Sequence, residues 1–174
     1  MDTIKAIMTR RSIRRFKERS VEEKKIEVLL RAAMQAPSGH NYQPWHFIVI
    51  TERGILSVIP EFHEYAKMLH QAPAAIMVCG DMRIEGSIEY INTDCSAATE
   101  NLLLAAHDLG LGAVWLGIYP RERRVQEIRR LLEIPRHIIP ISLVALGYAA
   151  EEKEPEDRFR PERVHRNRWT GDES

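Results

Sequence analysis

RRSIRRF, Arg10 to Phe16, and PSGHNYQPWHF, Pro37 to Phe47, are the two stretches on which the reading of this 174-residue chain turns. The first gathers Arg10, Arg11, Arg14 and Arg15 around one hydroxyl, Ser12, directly after Ile4, Ile7 and Met8 repeat at helical spacing. Guanidinium groups suit phosphate because their donors lie paired in one plane and stay charged at any working pH. The second crowds Pro37, Ser38, Gly39 and Asn41 ahead of Gln43-Pro44-Trp45 and a strand-like run, His46 to Ile50. Short amides and hydroxyls on such a loop can face the polar edge of a heterocycle. Standing alone, the arginines read as a solvated basic face and the loop as a helix-ending turn.

Working outward, 25 basic and 25 acidic side chains cancel. That removes the field expected of a nucleic-acid or membrane-surface binder, so any anion is recognised locally. Cys79 and Cys95 are far apart in apolar surroundings, which argues against a disulfide framework and for a reducing cytoplasm. No apolar run approaches membrane-spanning length, and the charged N-terminus lacks a signal-peptide core. The seven histidines show no metal-site spacing, so no metal is expected. His63-Glu64 is not a zinc-protease signature, because Lys67 stands where the second histidine belongs. Gly110-Leu-Gly112 is not a dinucleotide fingerprint, because it precedes a strand and Trp115 replaces the third glycine.

Ser20-x-x-Glu23 predicts a capped helix carrying Ile26, Leu29, Leu30, Ala33 and Met34 until Pro37 ends it. His46 to Ile50, Ala74 to Gly80, Gly112 to Ile118 and Ile139 to Tyr148 read as strands. Ile88 to Leu109 reads as a long helix closed by Gly110. A charged helix with Val125, Ile128, Leu131 and Leu132 on one face lies between the last two strands. One domain, residues 1–174, is expected. After Ala149 the chain turns abruptly to charge, which alone reads as a solvated end.

Together the two opening motifs resemble the nitroreductase family of FMN-dependent oxidoreductases, in which R-x-S-x-[RK]-x-F and P-S-x-x-N-x-Q-P-W flank one flavin. The likeness continues in Tyr65 to Leu69, in Asn101 to Ala106, in Gly110 to Gly117, and in Asp157-Arg158-Phe159 with Arg163-Val164-His165. It implies an α+β nitroreductase-like fold, a mixed central sheet flanked by helices, and an intertwined homodimer with two FMN sites. Residues 150–174 become an arm packed on the partner subunit. Arg10, Ser12 and the backbone of Arg11 are then expected at the ribityl phosphate, and Arg14 and Lys67 at the N1/O2 edge of the ring. Pro37, Ser38 and Asn41 are expected on the loop offered to the opposite subunit's flavin. The backbone of Leu116 and Gly117 is expected near flavin N5, and Arg158, ahead of Arg160, at the phosphate. Glu64 departs from the family by standing where a related enzyme type has an amide.

The resemblance further implies a ping-pong reaction: non-covalent FMN accepts hydride from NAD(P)H and passes electrons to a nitroaromatic, quinone or related small-molecule acceptor. Flavin N5 carries that chemistry, so no protein acid or base is nominated. The same motifs admit a reductive dehalogenase or a flavin-consuming synthase with a substrate lid, for which Asp81 to Asn92 leaves little room. They also admit a flavin-binding electron carrier without turnover of its own.

Overall fold

The four apolar runs form strands β1 (Trp45–Ile50), β2 (Ala74–Asp81), β3 (Gly112–Gly117) and β4 (Ile138–Gly147). The computed structural model describes residues 2–170 and arranges these strands in the order β1-β2-β4-β3. Every residue of β2 is buried and nearly every residue of β4, so both stretches read as unbroken apolar runs and not as alternations. Successive side chains point to opposite faces. Met77 and Leu143 face one core with Leu56, Ile59 and Ile128, supplied by α3 (Arg53–Phe62) and α5 (Glu122–Leu131). Ile76 and Val144 face the other with Ile26, Leu29, Ile91 and Leu102, supplied by α2 (Glu23–Met34) and α4 (Ile88–Asp108).

The mixed sheet expected from sequence is corrected here, because all three strand pairings are antiparallel. Strands β2 and β3 do run the same way on either side of the α4 crossover. Strand β4 then returns between them, so they never touch. Among the described residues, parallel pairing survives only as a bridge between Ser12 and Ala113, where the arginine-rich segment lies along β3.

The capping box also fails. Helix α2 starts at Glu23 with Glu22 at its N-cap and no side-chain cap, and Ser20 lies outside it. Glu22 is engaged elsewhere, accepting from the Tyr148 hydroxyl at 2.6 Å and from Arg19 at 2.8 Å. The Tyr148 hydrogen bond, with help from Glu22's own amide and Arg19, lowers its carboxyl from 4.5 to about 2. A depressed carboxyl stabilises the fold above its unfolded value and loses that contribution as pH falls from 4.5 toward 2. Tyr148→Phe is therefore expected to lower stability above about pH 4.5, where the contribution is fully present, and to converge on the parent as pH falls toward 2, as read by denaturant titration followed by circular dichroism.

Helix α4 ends as expected. Gly110 takes φ 72°, the Leu111 amide donates to the Ala106 carbonyl at 2.8 Å, and the Gly110 amide donates to the His107 carbonyl at 3.1 Å. This doubly bonded end needs a glycine at the left-handed position. Helix α3 was not expected, because Gly54 and Pro60 interrupt its pattern. Its Arg53 guanidinium donates to the carbonyls of Leu69 and Ala72, which fixes the 3₁₀ turn Lys67–His70 against it.

Helix α1 (Thr3–Thr9) forms, yet it buries only Ala6 and leaves Ile4, Ile7 and Met8 exposed. The tail begins stitched to the N-terminal segment. Ala150 donates to the Arg15 carbonyl, Glu151 accepts from the amides of Arg14 and Arg15, and Lys153 donates to the Ser12 carbonyl at 2.8 Å. Farther along, Phe159, Val164 and Trp169 are exposed. Cys79 and Cys95 are buried and unpaired, and burial pushes the Cys79 thiol up to about 12. Among the described residues no helix is long and apolar enough to cross a membrane.

Candidate functional site

Three elements meet beyond the end of β3. The arginine segment runs beside β3, the turn at Lys67–His70 is held by Arg53, and α5 begins a few residues after Gly117. Between them lies a cavity of about 490 Å³ bordered by Arg14, Lys67, Leu116 and Gly117, four of the residues singled out from sequence. His63, Glu64, Tyr65, Trp115 and Arg124 complete its walls. A Cβ built on Gly117 meets no protein atom within 4 Å, so the space over this residue is open to a ligand.

His63 was dismissed at the sequence level as part of a failed zinc motif, and it holds a central place here. It is only 1% exposed, and its Nε2 lies 3.1 Å from the Gly117 carbonyl. Burial, then the nearby Arg124 charge, lowers its pKa. The ring is therefore neutral, with Nε2–H donating to the carbonyl and Nδ1 left as an acceptor. That Nδ1 has no hydrogen-bond partner among the described residues. Arg124 donates to the same carbonyl at 3.0 Å, so two donors hold the Gly117 peptide in place. A buried histidine in HEYAK was the available signal. Nothing in the sequence showed which carbonyl it would meet.

A second, smaller cleft of about 290 Å³ collects Arg10, Arg11 and Arg158 against Ile7, Met8 and Phe159. Arg11 and Arg158 both donate to the Glu156 carboxylate, at 2.8 Å and 3.2 Å. The guanidinium groups draw the Glu156 carboxyl below its ordinary value, the bond from Arg11 contributing most. Glu156 thus occupies, as an internal anion, a place shaped for anions. Arg10 Nε lies 3.3 Å from Glu100 without hydrogen-bond alignment. Arg160 turns instead to the Phe159 carbonyl, so of the two tail arginines only Arg158 borders this cleft.

Pro37, Ser38 and Asn41 do not join either group within one chain. Ser38 accepts from the Gln43 amide, Asn41 from the Gln43 side chain, and Gly39 donates to the buried Asp94 of α4. His40, Asn41 and Gln43 all have positive φ, near 51°, 59° and 52°. Three such residues in one loop mark stored strain of the sort kept at ligand sites. The loop enters β1, at the same end of the sheet as Gly117 but on the opposite edge. Three strand spacings of about 4.8 Å put it about 14 Å across from the cavity.

A model of the nitroreductase family matches residues 7–67 and 57–148. The chain belongs to the nitroreductase family. A relative from Methanothermobacter thermautotrophicus, provisionally named an NADH dehydrogenase/NAD(P)H nitroreductase, is 51% identical across 97% of this chain and 88% of its own. The crystal structure of a Parabacteroides distasonis protein with the same provisional name superposes at TM-score 0.93, with 40% identity over 96% of this chain and 98% of that one. A provisionally named nitroreductase from Desulfovibrio desulfuricans, crystallised in complex with FMN, superposes at 0.84 with 28% identity, over 98% of this chain and 99% of its own. In this chain the matched region takes in the arginine segment, the Ser38 loop and the whole sheet, and ends just before the tail.

Proposed function

We propose that this protein is an FMN-dependent oxidoreductase that draws electrons from NAD(P)H and delivers them to nitroaromatic, quinone or related acceptors. The observation that carries the reading is the cavity over Gly117, with Arg14 and Lys67 on its border and an unpartnered buried acceptor, His63 Nδ1, on its wall. The residues present fit a flavin: open space above a glycine backbone for a flat ring, two cations for a ring edge, and a separate arginine cleft for a monophosphate. When bound, FMN supplies two-electron transfer in two half-reactions that share one face.

The chain's own part is positioning and charge. Arg10, Arg11 and Arg158 are assigned to the phosphate, with Ser12 beside them. Arg14 and Lys67 are assigned to the pyrimidine edge, where they favour the added negative charge of the reduced ring. His63 and Arg124, by fixing the Gly117 carbonyl, hold the backbone that lies over the ring. Ser38 and Asn41, displaced to the far sheet edge, serve the site of a second copy, with Pro37 setting the loop's entry. A homodimer accounts for that displacement, for the exposed apolar face of α1, and for the exposed Phe159, Val164 and Trp169 of an arm that leaves its own chain.

The purified protein is expected to be yellow and to release FMN on acid treatment; release of FAD, or no flavin after reconstitution, overturns the reading. Steady turnover with a quinone or nitroaromatic distinguishes it from an electron carrier. The segment Asp81–Ser87 is a tight turn closed by bonds from Arg83 to Asp81 and from Ser87 to Glu85, which disfavours a dehalogenase-like lid there. Arg14→Ala and Lys67→Ala should each lower the flavin reduction potential while FMN stays bound. Potentiometry that finds both variants unchanged removes the two cations from the pyrimidine edge.

A further inference from the structure

Beside the cavity over Gly117 lies a larger one of about 790 Å³, and the two share Glu64, Tyr65, Lys67 and Arg124. Its outer wall is built from Arg121 and Arg123 at the start of α5 and from Glu61 at the end of α3. The charges here are unevenly matched. Arg124 is partly offset by Glu64 at 3.7 Å, but Arg121, Arg123 and Lys67 make no ion pair among the described residues, against one unpaired carboxylate, Glu61. Glu122 is held by Gln126 along the helix. Arg123 lies one turn from Glu127, which pairs with Arg130 instead, and Arg121 precedes the helix. These two stand free at the mouth of a ligand-sized space.

Tyr65 stands where the two cavities join, two-thirds exposed, with the Arg124 guanidinium 5.7 Å from its ring centroid. A flat aromatic surface at that junction can seat a planar base. A substrate lodged here reaches the inner cavity with one end and leaves the other among free guanidinium groups. The occupant that matches is a long molecule with a flat redox head and an anionic far end. Resting on the functional reading above, we propose that the Arg121–Arg123 wall receives the 2′-phosphate that NADPH carries and NADH lacks, which makes NADPH the preferred donor.

Neither arginine's side chain caps α5 or contacts the inner cavity, so replacing both leaves the fold and the flavin undisturbed. The test uses the FMN-loaded enzyme and stopped-flow or steady-state reduction by NADPH and by NADH. The parent enzyme should show the lower KM for NADPH. The double variant Arg121→Gln/Arg123→Gln should raise KM for NADPH by about tenfold, equal to about 1.4 kcal/mol, with KM for NADH changed less than about twofold and kcat for both retained. Arg121→Lys/Arg123→Lys should keep most of the preference, and rising salt should erode it. A parent enzyme that prefers NADH, a double variant with unchanged KM, or equal losses with both donors overturns the proposal and leaves the flavin oxidoreductase standing. A flavin that dithionite reduces but neither nicotinamide does overturns both.

Discussion

A chain that stops at Ala150 is expected to sediment as a monomer and to bind FMN at least about tenfold more weakly than the full chain. Two separate losses combine. The cleft with Arg10 and Arg11 loses Arg158, and a charge-assisted bond of this sort contributes about 1.5–3 kcal/mol, or about ten- to a hundredfold in affinity. The partner surface loses Phe159, Val164 and Trp169, each exposed on its own chain and each able to contribute about 1.5–3 kcal/mol when buried, before ordering costs. Removal of Glu151 and Lys153 also frees the amides of Arg14 and Arg15 and the carbonyl of Ser12. Sedimentation and flavin-fluorescence titration decide the matter. A truncated monomer with native FMN affinity would show that the site belongs to one chain, and that the Ser38 loop has another task.

Gly117→Val and Gly147→Ala should fail in opposite ways. A side chain at Gly117 enters space that no protein atom occupies, so the melting temperature should hold while FMN affinity falls. Overpacking against a bound ring costs about 1–3 kcal/mol, or about five- to a hundredfold in affinity. At Gly147 the added Cβ would lie 2.5 Å from Pro73 Cδ and 3.1 Å from Phe16, against a rigid, half-buried ring. That variant should lose about 1–3 kcal/mol of stability in denaturant titration, with the surviving folded protein binding FMN normally. A Gly117→Val protein that retains full flavin affinity would move the ring away from the end of β3.

The contrast between these glycines indicates what could be read from the chain and what could not. The strand runs, the long helix and its Gly110 stop were legible because each depends on local periodicity or on a backbone angle that few residues adopt. Helix α3 was missed because Gly54 and Pro60 mask a pattern that tertiary packing of Leu56 and Ile59 supports. The capping box was misread because the Tyr148 hydroxyl, distant in sequence, recruits the neighbouring Glu22. Sheet order was hidden for a related reason, since no local signal announces that the last strand will insert between two earlier ones. At the site, the motif residues Arg14, Lys67, Leu116 and Gly117 do converge, as do Arg10, Arg11 and Arg158. His63 was set aside and Arg124 passed over because their role lies in a shared carbonyl, and a carbonyl carries no sequence signature.

The insertion of β4 also sets an order of events during synthesis. Among the described residues, strand β3 has no strand neighbour except β4, and β2 reaches β3 only through it. Until residues 138–147 have left the ribosome, the nascent chain holds an antiparallel β1–β2 pair and a β3 whose edge toward β4 leaves its backbone N–H and C=O groups unpaired. The wall formed by Leu116 and Gly117 therefore takes shape late, and the cavity they border is incomplete on a chain still being made. Newly released protein should pass through a window in which a β-strand edge is open to chaperones and to aggregation, and that window closes when the last strand docks.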